Sequence, residues 1–153
     1  MVLSLFVAAF ALHAPVPKDK ADANALKELS GEWVVTSSQE FGKPGELHVG
    51  DELKFDGDKL THEGHGDPIE YRIRVTAGAK PSQMDWRLAD QADETTSHRG
   101  IFKLEDGKLT VCVVRKFDAD DPKDRPTEFE TKVGRSKGDA AGSVMLVLER
   151  KKK

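Results

Sequence analysis

Along IEYRIRVT, residues 69–76, apolar and polar side chains alternate without a break. Ile69, Tyr71, Ile73 and Val75 fall on one side, and Glu70, Arg72, Arg74 and Thr76 on the other. A period of two over this length belongs to a β-strand with one covered face and one wet face. MDWRL repeats the pattern, with Met84, Trp86 and Leu88 set against Asp85 and Arg87. In GIFKLEDGKLTVCVVR, Phe102 and Leu104 face in, Asp106-Gly107 is a strong two-residue turn signal, and Leu109, Val111 and Val113 return. DELKFDGDKLTHEG reads as a further hairpin, with Leu53 and Phe55 on the dry side and Lys59–Glu63 as its second arm. EWVVTSSQ and SVMLVLER supply a first and a last strand. FGKPGEL, with two glycines and a proline, reads as a turn. ADQADETTSH reads as a polar loop, and FDADDPKDRPTEFETKVGRSKGDAAG as a long irregular excursion. The pattern thus predicts eight short strands, and no helix longer than two turns follows Gly31. A meander of this kind hides its edges best by closing on itself. The expectation is an all-β, eight-stranded antiparallel up-and-down barrel, with a two-sheet β-sandwich as the alternative.

The two ends of the chain differ from this middle. Val2 to Ala14 is an apolar run broken only by Ser4 and His13. It is too short to span a bilayer, which takes about 20 residues, and it fits the centre of a secretory signal peptide. Residues 1–14 are therefore read as a signal peptide or its remnant, 15–25 as a polar linker, 26–150 as one domain opening with one or two helical turns in LKELSG, and 151–153 as a basic tail. A secreted, periplasmic or cell-envelope location follows, or a cytoplasmic one if residues 1–14 are not a signal. The formal net charge of -3 argues against nucleic acid as a partner, since such binders carry a concentrated basic face. No transmembrane segment is predicted, and a monomer is expected.

The stretches LSGEWVVTSSQEFGKP, LKFDGDKL, IFKLEDGKLTVCVV, RPTEFETKVG and VMLVLER resemble an uncharacterised lipocalin-like domain family of planctomycete bacteria, over about residues 26–150. The resemblance implies a lipocalin-like barrel and frequent signal peptides, and it brings no catalytic residues. A looser likeness to lipocalins rests on Gly31-Glu32-Trp33, which is similar to the Gly-x-Trp opening their first strand. It implies that Arg150 of the last strand packs over Trp33 and closes one end of the barrel. The other lipocalin signatures are absent.

Candidate sites are few. Trp33, Phe55, Tyr71, Trp86 and Phe102 form the inward aromatic set, which either fills the core or lines a cavity for a small apolar or aromatic ligand. Cys112, the one cysteine, reads as a buried small hydrophobe. His62-Glu63-Gly64-His65 is the densest histidine group, but its spacing matches no metal motif, so it reads as a solvated loop. Asp118, Asp120, Asp121 and Asp124 lack the glycine and glutamate of a calcium loop and read as an exposed acidic segment. The carboxylates Asp85 with Glu70, and Glu128 with Glu130, show nothing that marks a proton donor. Ser37, Ser38 and Ser97 lack the surroundings of a nucleophile. No catalytic residue, metal or cofactor is therefore assigned. The expected role is a non-catalytic binding domain for a small molecule or peptide in the cell envelope. The alternatives are a protein–protein or structural envelope component, and a hydrolase or isomerase built on a barrel cavity.

Overall fold

The computed structural model describes residues 18–91, 98–115, 125–131 and 143–152. The signal-like segment, Ser97 and the acidic run from Asp118 to Asp124 lie outside them. The chain forms helix α1 (Lys18–Leu29) and strands β1 (Gly31–Glu40), β2 (Lys43–Gly45), β3 (Glu52–Asp56), β4 (Lys59–Glu63), β5 (Ile69–Thr76), β6 (Ser82–Leu88), β7 (His98–Glu105), β8 (Lys108–Arg115) and β9 (Ser143–Arg150). β1 and β3 to β9 pair antiparallel in sequence order, and β9 returns to β1, so these eight strands close a barrel. The eight are the strands expected from the alternating pattern.

Two local features differ from the sequence reading. FGKPGEL is not simply a turn. Phe41 and Gly42 adopt φ of 50° and 76°, the left-handed geometry that suits a two-residue hairpin. β2 then folds back on β1, with Glu40 opposite Lys43 and Ser38 opposite Gly45. The helix also begins at Lys18, inside the expected linker. Its Ala25, Leu26 and Leu29 share a face and pack against the barrel core, so tertiary burial extends a segment of weak intrinsic amphipathicity.

That packing closes one end of the barrel. The Arg150 guanidinium lies 4.4 Å over the Trp33 ring and donates to the carbonyls of Ser30 (2.9 Å) and Glu28 (2.7 Å). The Trp33 indole N–H donates to the Leu29 carbonyl at 2.7 Å. The last turn of α1, whose carbonyls have no partner within the helix, is thus capped by side chains from the first and last strands. Gly31 makes room for this. Its φ is +125°, and a Cβ there would sit 2.7 Å from Arg150 Nη1.

Inward positions carry the core: Trp33, Leu53, Phe55, Leu60, Tyr71, Ile73, Met84, Trp86, Leu109, Val111 and Leu148 are all buried in one cluster. Ile101 and Cys112 alternate out of that cluster yet are 1% and 0% exposed. Residues 125–131 cross the outside of the sheet at this point. Arg125 donates to the Gly100 carbonyl (2.7 Å) and pairs with Asp85, while the Cys112 thiol lies 3.8 Å from the Glu130 carbonyl. Cys112 is therefore buried against this strap and not in the barrel interior. Burial pushes its thiol up to about 11, outweighing the Glu130 contact.

Arg150→Ala should lower the unfolding free energy by about 1–3 kcal/mol, through the lost ring stack and the uncapped carbonyls. Arg150→Lys should not restore it, because an ammonium lacks the planar fork that serves stack and carbonyls together. Equilibrium urea unfolding measures both. In the native protein at neutral pH, Cys112 should resist iodoacetamide and react only at the rate of unfolding, as intact-mass kinetics would show.

Candidate functional site

Register fixes which residues meet at the end of the barrel opposite α1, called here the rim. β1 ends there at Glu40, β3 begins there at Glu52, β4 ends there at Glu63, and β5 begins there at Ile69. Leu53, a core residue, stands opposite His62, so His62 shares its inward face. β1 shifts register between Val35 and Ser37. Just before that shift, Val35 exchanges backbone hydrogen bonds with the loop ahead of β3: Val35 N–H donates to the Asp51 carbonyl and Gly50 N–H to the Val35 carbonyl, both at 2.9 Å. This locks Asp51 two residues before Leu53, on the same face. A tight turn, with Asp51 N–H on the His48 carbonyl at 3.1 Å, brings His48 alongside.

The outcome is a buried carboxylate between two imidazoles. Asp51 Oδ2 lies 3.0 Å from His48 Nδ1 and 2.9 Å from His62 Nε2. The other nitrogen of His48, Nε2, lies 3.3 Å from Glu40 Oε1. Asp51 is 5% exposed, and the two imidazoles and Glu40 are half-buried. Burial pushes the Asp51 carboxyl up, but hydrogen bonds from His62 and His48 and the charge those rings can carry outweigh it, and the balance holds it below 3.8. A carboxyl held low in this way favours the native state above its ordinary value. That contribution is lost as pH falls through the lowered one. Gly64 makes the pocket for the carboxylate: a Cβ there would sit 2.8–2.9 Å from the Asp51 carboxylate atoms.

A second group occupies other inward rim positions. The rings of Tyr71, Trp86 and His98 form a triangle with centroids 5.6, 5.2 and 5.6 Å apart, the Tyr71–His98 pair edge to face. Four large apolar side chains of the described residues are exposed, by 41–59%: Phe41, Leu47, Val49 and Ile69. All four belong to turns or strand starts at this rim.

The aromatic set from the sequence is therefore divided. Tyr71 and Trp86 meet at the rim, Trp33 and Phe55 pack at the helix end, and Phe102 is inward near the helix end; all five belong to the buried core. Only Phe102 borders a groove of about 610 Å³ on the flank of α1, lined also by Ala25, Pro81, Leu104 and Phe129. Asp85 and Glu70 do not come together, since Asp85 pairs with Arg125 and Glu70 with Lys59, each at 2.6 Å. His65 turns away from His62 and meets the Leu47 carbonyl at 3.1 Å. Ser38 is buried, its hydroxyl donating to the Gly45 carbonyl at 2.8 Å. The sequence reading missed the grouping of Glu40, His48, Asp51 and His62, whose members come from two strands and a loop with no motif spacing. Comparison of the chain with protein-family models, curated proteins and solved structures gave no match.

If Gly64 is fixed by the carboxylate beneath it, Gly64→Ala should cost about 1–2 kcal/mol in the native background and little in an Asp51→Ala background. A double-mutant cycle on urea midpoints measures the coupling.

Proposed function

We propose that this protein is a non-catalytic binding domain of the cell envelope, akin to the lipocalin-like family of planctomycete bacteria, and that it takes a small apolar molecule or an apolar peptide segment at the rim. The observation that carries this reading is that the four exposed large apolar side chains of the described residues all belong to turns or strand starts at the rim, the end that also carries the Tyr71, Trp86 and His98 rings. Grouped apolar exposure of this kind is characteristic of binding surfaces. The opposite end is occupied by α1, Trp33 and Arg150, so the rim is the end that the helix leaves uncovered. The apolar run from Val2 to Ala14 supports export. Among the described residues no helix is long and apolar enough to cross a membrane.

The convergence of two imidazoles and two carboxylates at the rim favours one second reading, a general acid–base site. It would express itself as turnover abolished by His62→Ala in a folded protein.

The two tryptophans separate the ends of the barrel. In Trp33→Phe the only indole is Trp86, at the rim; in Trp86→Phe it is Trp33, at the helix end. Native mass spectrometry of protein purified from its own host should reveal a bound small molecule or peptide. Added back to stripped protein, that ligand should change the emission of Trp33→Phe and leave that of Trp86→Phe unaltered. A response confined to Trp86→Phe would place binding at the helix end and refute the rim.

A further inference from the structure

The geometry points to a divalent transition-metal site at His48, Asp51 and His62, with a zinc-type ion held by His48 Nδ1, Asp51 Oδ2 and His62 Nε2. This assignment stands apart from whatever else the rim binds. The donor atoms of these three residues all lie within 4.8 Å of one another. Around a tetrahedral zinc ion with bonds of about 2.0–2.2 Å, neighbouring donors stand roughly 3.3–3.6 Å apart. The distances of 3.0 and 2.9 Å from Asp51 Oδ2 to the two nitrogens thus need to widen by only about half an ångström for an ion to enter.

Three further observations fit an ion better than a chance contact. First, His48 presents Nδ1 to the site while its Nε2 faces Glu40 Oε1 at 3.3 Å. A ligating imidazole commonly hands its remaining N–H to a carboxylate in this way, which fixes its tautomer and raises its basicity. Second, the position of Asp51 is overdetermined by backbone bonds to Val35 and His48 and by the missing Cβ of Gly64. Ligating carboxylates need such fixed placement. Third, the charges balance: Asp51 and Glu40 bring two negative charges, the two imidazoles ligate as neutral groups, and a dication cancels the sum. Two nitrogen donors favour zinc, copper, nickel or iron(II) over calcium or magnesium, which prefer oxygen. Three protein donors leave a coordination position for water.

The test uses the full chain, stripped with a chelator and checked for folding by circular dichroism. Cobalt(II) is titrated in while its visible d–d absorption is followed, and zinc then displaces it. Wild type should bind one equivalent with an absorption typical of four- or five-coordinate cobalt, and zinc should raise its melting temperature. His62→Ala and Asp51→Asn should lose that absorption. Glu40→Gln, which removes no donor, should weaken zinc by about ten- to a hundredfold. His65→Ala, three residues from His62 but turned to the Leu47 carbonyl, should bind as wild type. The assignment is overturned if folded wild type takes up no stoichiometric metal, if binding survives His62→Ala, or if His65→Ala abolishes it. His48→Ala decides the matter should Asp51→Asn fail to fold: unchanged cobalt absorption and zinc affinity in that variant would refute the site.

Discussion

The stack of Arg150 on Trp33 is the contact on which the architecture turns. It joins the first strand to the last, at the pair where their register begins, and it ties the helix to both. The indole N–H and the guanidinium between them satisfy three consecutive carbonyls at the end of α1, from Glu28 to Ser30. Each of those oxygens would otherwise need water, and the cation also sits favourably at the negative end of the helix. One arginine thereby closes a sheet, caps a helix and covers the base of the core. The glycine at position 31 is the geometric condition, since any side chain there would occupy the place of the guanidinium.

With the helix end closed by this clamp, the opposite end of the barrel can carry groups that a core would not tolerate. Burying a carboxylate such as Asp51 is costly unless it is hydrogen-bonded or paired, and here two imidazoles meet that need. Similarly, a cluster of aromatic rings with polar atoms at inward positions trades apolar packing for specific edges and donors. Two kinds of packing are thus separated along the barrel axis: the helix and its Arg150–Trp33 clamp at one end, the Asp51 carboxylate with its imidazoles and the Tyr71, Trp86 and His98 rings at the other. The connections between strands then set which side chains line each end.

Much of this architecture was legible in the sequence, because strand alternation is a direct imprint of a one-sided core. Ile69–Thr76 and Leu109–Val113 announced their faces, and Asp106-Gly107 adopts the positive φ of 52° and 75° that its composition suggested. The likeness to lipocalins singled out Gly31, Trp33 and Arg150, and these three meet. Other features were hidden for identifiable reasons. Helix α1 has little amphipathic pattern of its own and relies on the barrel surface it covers. Cys112 reads as buried although the alternation of Leu109, Val111 and Val113 turns it outward, and only the strap at 125–131 explains how an outward residue comes to be covered. The rim cluster was obscured because its polar members were read by neighbourhood in sequence. Extending the alternation of Leu53 and Phe55 back to Asp51, and pairing Leu53 across the hairpin with His62, would have placed a carboxylate and an imidazole on a face reserved for apolar groups.

Closure through β1 and β9 also shapes how the chain comes to fold. The partners in that seam are more than a hundred residues apart in sequence, as the Thr36 hydroxyl bonding the Val147 carbonyl illustrates. A nascent chain that has emerged only through β8 holds an incomplete sheet with two raw edges, and its helix lacks the arginine that finishes it. Assembly must therefore await delivery of the final strand. Until then the partial sheet is adhesive, open to a neighbouring polypeptide at either border. For a protein of this topology, the unpaired borders of β1 and β8 before the last strand arrives are a consequence of where the ring is joined.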